Sequence, residues 1–297
     1  MKAPLILAAL IALALLATSA SAGMNDFLGV RPLGMGGAHR AVVTGNDSIF
    51  LNPAGMALFK RYSFETQYLL TPEYEQEDGP TEHVFNISVV DNQVTPLATG
   101  LSYTRIERGG SKKGNRYDLA NAYMLTENLL VGTNVKYLQF EREGKSDINA
   151  VTVDVGMLLR FDFGLSLAVA GYNLTNTADY MEHPICMAVG IMYWPFRSLS
   201  LSFDWFTNFQ KPVDPEDPIG DKTHGFSYGF GAEYLLMGQV LLRAGAAIDQ
   251  ARPWGDEYYW SVGAGYVDPR FGLNFSYQGS FHHGWGGIFA VGLRLHM

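Results

Sequence analysis

Period-two alternation of apolar and polar residues, repeated about fourteen times in runs of roughly ten, constrains this chain more than any other feature. In the first run Tyr62, Phe64, Tyr68 and Leu70 share one face, and Arg61, Ser63, Glu65 and Gln67 the other. Similar runs occur near residues 83–90, 97–106, 116–125, 129–140, 148–160, 164–174, 184–194 and 199–209. They continue near 225–236, 239–249, 258–267, 271–278 and 287–296. Each is close to the ~9–11 residues that a tilted membrane strand needs. The alternation predicts antiparallel strands with one oily and one polar face.

The connections narrow the choice between a soluble sandwich and a membrane barrel. Those after odd-numbered strands are long: residues 71–82, 107–115, 141–147, 175–183, 210–224, 250–257 and 279–286. Those after even-numbered strands are mostly short: 91–96, 126–128, 162–163, 195–198, 237–238 and 268–270. A transmembrane barrel sorts its connections in this way, with loops at one rim and tight turns at the other, and a sandwich has no reason to. The fold class expected is all-β, a transmembrane antiparallel β-barrel of about fourteen strands.

Face by face, Leu129, Val131, Val135 and Tyr137 form an apolar row suited to lipid, opposite Gly132, Asn134 and Lys136. Val151, Val153, Val155, Met157 and Leu159 form another, opposite Thr152, Asp154, Gly156 and Arg160. Carried round the barrel, the lumen-facing set includes Arg61, Glu65, Lys136, Asp154, Arg160, Asp204, Glu233, Arg243 and Arg294. Charges of both signs beside small residues suit a narrow or filled interior, whereas an ion-selective pore favours one sign.

Residues 1–22 read as a signal peptide: Lys2, an apolar run over residues 4–17, and Ala20-Ser21-Ala22 before Gly23. Cleavage leaves 297 − 22 = 275 residues and removes one of 21 basic residues, so 20 face 29 acidic ones, a charge of −9. That balance argues against nucleic acid as a partner. The single cysteine, Cys186, excludes an intrachain disulfide framework and reads as a small packed residue beside Ala188 and Gly190. Tyr193, Trp194, Trp205, Trp254, Tyr258, Tyr259, Trp260 and Trp285 cluster near strand ends, as interfacial aromatic girdles do.

Between leader and strands, residues 33–58 read LGMGGAHRAVVTGNDSIFLNPAGMAL and fit neither pattern. Gly34, Gly36 and Gly37 permit tight turns or close backbone approach. Asn46-Asp47-Ser48 offers N-cap side chains to a short apolar helix from about Ile49. Asn52-Pro53-Ala54-Gly55 then breaks or turns that helix. The organisation expected is residues 1–22 as signal peptide, 23–59 as an N-terminal hatch in the lumen, and 60–297 as the barrel.

The run Leu33-Gly34-Met35-Gly36-Gly37-Ala38, the Asn46-Asp47 turn and Asn52-Pro53-Ala54-Gly55 closely resemble the start of PorV/PorQ-like outer-membrane proteins, within the wider FadL-type superfamily. The resemblance implies a fourteen-stranded barrel with an N-terminal hatch. In that wider group the hatch gates diffusion of hydrophobic molecules, while PorV-like members are outer-membrane partners of a secretion machine. The chain departs from the family pattern in its less acidic turn, Gly45-Asn46-Asp47-Ser48, and in Leu51, where an aromatic is usual.

No catalytic residues, metal site or cofactor are expected. His282 and His283, with Ser280 nearby, match no ligand pattern and read as solvated loop residues. The acidic runs 73–78 and 214–221 lack EF-hand spacing. The expected location is the outer membrane of a Gram-negative bacterium, with lipid and lipopolysaccharide as surroundings. The expected function is gated passage or binding of small hydrophobic molecules, with Gly34, Gly36, Gly37, Asn46, Asp47, Asn52, Pro53 and Ala54 as gating residues. The alternative is a closed barrel that docks envelope proteins of a secretion, motility or surface-assembly complex.

Overall fold

The computed structural model describes residues 28–72, 81–109, 112–142, 147–175, 184–212, 222–250, 256–281 and 287–296. Fourteen strands follow one another: β1 (Tyr62–Thr71), β2 (Glu82–Asp91), β3 (Leu97–Arg108), β4 (Lys112–Met124), β5 (Leu129–Arg142), β6 (Ile148–Arg160) and β7 (Leu165–Tyr172). Then come β8 (Cys186–Phe196), β9 (Leu199–Pro212), β10 (Lys222–Leu236), β11 (Val240–Asp249), β12 (Glu257–Val267), β13 (Phe271–Ser280) and β14 (Gly287–His296). Every strand pairs antiparallel with its sequence neighbours, and β1 pairs β14 from Ser63↔His296 to Leu70↔Phe289, which closes the barrel. Closure leaves no sheet edge without a partner, as an apolar surround requires.

The outer wall is apolar: Leu101, Val135, Tyr137, Val151, Met157, Phe275 and Val291 are all exposed on it. Their strand neighbours Ser102, Asn134, Lys136, Thr152, Asp154, Ser276 and Gly292 point inward. A barrel apolar outside and polar inside inverts a soluble protein and matches a lipid surround. Among the described residues no helix is long and apolar enough to cross a membrane. Of the girdle aromatics, Trp194, Tyr258 and Trp260 are exposed. Trp254 and Trp285 lie outside the described residues, as do His282, His283 and both acidic runs.

Two expected connections change. The loop expected over residues 107–115 is largely strand, because β3 runs to Arg108 and β4 starts at Lys112. Polar cross-strand bonds extend that hairpin past the apolar belt: Asn115 Oδ1 accepts from Tyr103 Oη at 2.9 Å and from Arg105 Nη1 at 3.1 Å. The expected 210–224 loop also shrinks, since β9 reaches Pro212 and β10 begins at Lys222. The longest connection is instead residues 173–185, because β7 stops at Tyr172.

Residues 28–58 are folded into short pieces: an α-turn at Val30–Leu33, a 3-10 turn at Gly45–Asp47, a four-residue helix at Ser48–Leu51 and a 3-10 helix at Pro53–Leu58. Helices this short have no stability of their own and are held by what surrounds them. Val30, Leu33, Met35, Ala38, Ile49, Leu51 and Ala54 are nearly or completely buried. Val30, Ile49, Ala54 and Met56 share one apolar cluster with the inward Ala98, Ala120, Leu130 and Leu158 of the wall.

A sealed lumen and its latch

Side-chain bonds and close contacts tie residues 28–58 to all fourteen strands, a condition that only a position inside the closed barrel satisfies. Gln67 on β1 accepts from Val30 N, Ser88 on β2 from Asn46, and Ser261 on β12 from Gly36 N. Asn134 on β5 donates to Ile49 O, Tyr172 on β7 to Leu51 O, and Ser276 on β13 to Val30 O. Asn52 on the segment donates to Met157 O on β6. Asp204 on β9, Glu233 on β10 and Arg294 on β14 make the ionic contacts described below. On β4, Arg116 stands over the Phe50 ring at 5.3 Å. The remaining strands, β3, β8 and β11, present Gly100, Gly190 and Gly245. A Cβ added there would lie 2.8 Å from Met56 Sδ, 3.0 Å from Ala41 N and 2.3 Å from Gly36 N. At Gly190 and Gly245 the segment's backbone presses against the wall, and at Gly100 its Met56 and Ile49 side chains do.

The expected lumen charges form discrete pairs. Glu233 takes Arg31 in a two-pronged pair, Nε at 2.8 Å and Nη2 at 2.5 Å, and also accepts from Arg243 Nε at 2.7 Å. Arg294 donates to Glu65 at 2.7 Å and to Asp47 at 3.0 Å. Lys136 meets Asp154 at 2.8 Å with both side chains 1% exposed, and also donates to Asn173 at 2.6 Å. Charges removed from water this completely persist only when paired and hydrogen-bonded. Arg61 and Arg160 stand apart from these pairs: Arg61 precedes β1, half-buried over the Phe59 ring at 5.1 Å, and Arg160 ends β6 at the short-turn rim.

The capping role expected of Asn46, Asp47 and Ser48 is not what they do. The helix at Ser48–Leu51 has no side-chain cap. Asn46 instead bonds Ser88 and accepts from Ser63 at 2.7 Å, and Asp47 accepts from Gln67 at 3.1 Å and from Arg294. A four-residue helix gains less from one cap than buried wall groups lose without partners. Asn52 is the capping residue, accepting from Ala54 N at 3.2 Å ahead of Pro53. Gly36, Gly37 and Gly45 adopt positive φ, and Gly34 lies against Ser276 and Gly263.

The densest attachment joins Asp204, expected in the lumen, to three residues absent from the expected set, His39, Arg40 and Tyr172. Asp204 Oδ2 accepts from His39 N and Arg40 N, each at 3.0 Å, and from Arg40 Nη1 at 3.1 Å. Arg40 Nε donates to Tyr172 Oη at 2.7 Å, and its guanidinium lies 5.6 Å from the Tyr172 ring and 5.3 Å from the Phe206 ring. One sequence signal points here: wall carboxylates facing a filled lumen need cations on the filling, and residues 28–58 contain Arg31 and Arg40. His39 is completely buried, and neither ring nitrogen bonds another of the described residues. Burial, reinforced by the nearby Arg31 cation, pushes its pKa well below the usual imidazole value and keeps it neutral.

The segment divides two cavities. One, about 70 Å³, opens toward the long-connection end and includes Gly36, Gly37, Arg40 and Asp204. The other, about 160 Å³, opens toward the short-turn end and includes Ala41, Val42, Thr44 and Trp194. Arg40, which Asp204 and Tyr172 hold, lines the first, and the next residue, Ala41, lines the second.

No family model and no curated protein matches the sequence. Solved structures do match the fold. CymD, described as a monoaromatic hydrocarbon channel, aligns with a TM-score of 0.69 at 14% identity, over 91% of this chain and 96% of its own. This is a FadL-type barrel fold. The toluene transporter TbuX of Ralstonia pickettii aligns at 0.68 and 14% identity, covering 92% of this chain and 98% of its own. A FadL homologue of Pseudomonas aeruginosa aligns at 0.64 and 14%, covering 94% and 98%.

Proposed function

We propose that the protein is a non-catalytic channel in the outer membrane of a Gram-negative bacterium, through which small hydrophobic molecules pass when residues 34–54 move. The observation that carries the reading is a pair of cavities lined by consecutive residues of the segment, Arg40 in one and Ala41 in the other, beside the Asp204–Tyr172 anchor. Displacing that short stretch joins the cavities while the barrel stays closed. The glycines and the Asn52-Pro53 break allow such movement without unfolding a long helix. The fold-level likeness to hydrocarbon channels supports the class of solute.

The test is uptake of a neutral hydrophobic dye by intact cells whose lipopolysaccharide leaflet limits its entry. Wild type raises uptake above cells lacking the protein, and Asp204→Asn, which weakens the anchor, raises it further. Equal uptake with and without the protein, for both forms, refutes the reading. A lumen filled against every strand also favours a second reading, a closed barrel that docks envelope proteins. Stable co-purification of defined partners with an impermeable barrel would support it.

A further inference from the structure

The cavity at the short-turn end has a polar lining of Arg31, Arg160, Thr44 and Ser166 and aromatic walls from Phe59 and Trp194; among the described residues no carboxylate lines it. Arg31 is neutralised by Glu233 and donates to Thr44 Oγ1 at 3.4 Å. The Arg160 guanidinium has no ion-pair or hydrogen-bond partner among the described residues. Ser166 is 2% exposed, and its hydroxyl likewise bonds no described residue. Behind Phe59 stands Arg61, a further cation without a carboxylate partner among the described residues. A cation without an anion and a buried hydroxyl without an acceptor, both on one small cavity, mark the place of an acceptor-rich anion.

We propose that this cavity binds the carboxylate of a small aromatic or short-chain acid, held by Arg160 and Ser166 with Arg31 and Thr44 alongside. Arg160 supplies two parallel N–H donors matched to the two carboxylate oxygens. The ring or chain lies against Phe59 and Trp194. The volume, 160 Å³, is well below the ~300–1,000 Å³ of sites for larger ligands, so one ring or a short chain fits and a long acyl tail does not. A neutral hydrocarbon leaves Arg160 and Ser166 without an acceptor and is discriminated against for that reason. Binding does not require the partition to move; its meaning for passage rests on the function proposed above.

Calorimetric titration of the full-length protein in detergent, with benzoate and with the uncharged isostere benzamide, tests the proposal. Benzoate binds at least about 10-fold more tightly than benzamide, as a charge-assisted contact predicts. Arg160→Gln brings the two within a factor of about 3, and Ser166→Ala weakens benzoate by about 3- to 10-fold. Neither residue has an ion pair to lose among the described residues, and a retained β-type circular dichroism spectrum identifies folded variants. Equal affinities in wild type, no binding of either probe, or a benzoate preference that survives in folded Arg160→Gln overturns the site. Benzoate preference in a barrel that passes no dye overturns the passage reading alone, and dye passage without benzoate preference overturns this one alone.

Discussion

Replacing Asp204 by alanine removes the anchor at Arg40 and leaves the barrel wall otherwise intact. The change deletes three hydrogen bonds to Oδ2 and leaves the guanidinium with Tyr172 Oη, Gly37 O at 3.4 Å and two ring faces but no anion. Breaking a buried ion pair from one side costs about 3–5 kcal/mol. The surviving Tyr172 contacts favour the lower end, so the opening equilibrium of the stretch rises about 100-fold, at 1.4 kcal/mol per factor of ten. Hydrogen exchange reads this directly as protection lost at residues 36–44, with the strand amides unchanged. A companion variant sharpens the argument. Arg40→Met together with Asp204→Leu removes both charges, and burying apolar groups of similar volume restores much of the protection. Unchanged protection in Asp204→Ala, or a loss spread evenly over the barrel, refutes the claim that this pair holds the segment.

Further outcomes follow from the same geometry. His39 is neutral and unbonded when the segment is in place, and its folded pKa is lowered, so the opened form binds a proton below about pH 6.5 and the closed form does not. Stability of the closed form therefore falls with pH below that value; protection factors at residues 36–44, corrected for the slower intrinsic exchange, fall by about 5-fold between pH 6.5 and 5.5, and His39→Gln reduces that fall. Gly132→Ala places a Cβ 2.5 Å from Ala54 N and destabilises the protein by about 1–3 kcal/mol in thermal unfolding, whereas Gly272→Ala, with nothing nearer than 3.6 Å, is close to neutral. Lys136→Met leaves Asp154 buried without its cation and costs about 3–5 kcal/mol, and adding Asp154→Leu recovers most of it.

Much of the barrel was legible because each strand carries its two environments in alternate residues. Val151 and Val155 face out, Thr152 and Asp154 face in, and neither arrangement makes sense in a helix. The hairpin past the apolar belt was not legible, since Glu107, Lys113 and Asn115 have the composition of a loop and become strand only through cross-strand pairing. The filled lumen was foreshadowed by inward charges of both signs, but their partners were not: Arg31 lies 202 residues from Glu233, and Arg40 lies 164 from Asp204. Asn46 and Asp47 illustrate the same limit. Local chemistry offered them to a helix, and distant wall residues claimed them instead. Arg160 was assigned to the lumen by parity alone, and parity says nothing of height along the strand, which puts it at the rim.

The most direct test of a lumen closed by its own N-terminal segment is conductance across a planar bilayer, comparing wild type with a variant lacking residues 24–58. The account predicts a wild type closed to ions and a folded variant with a large, steady conductance through the vacated barrel. A folded variant as tight as wild type, or a wild type that conducts as well as the variant, would contradict it.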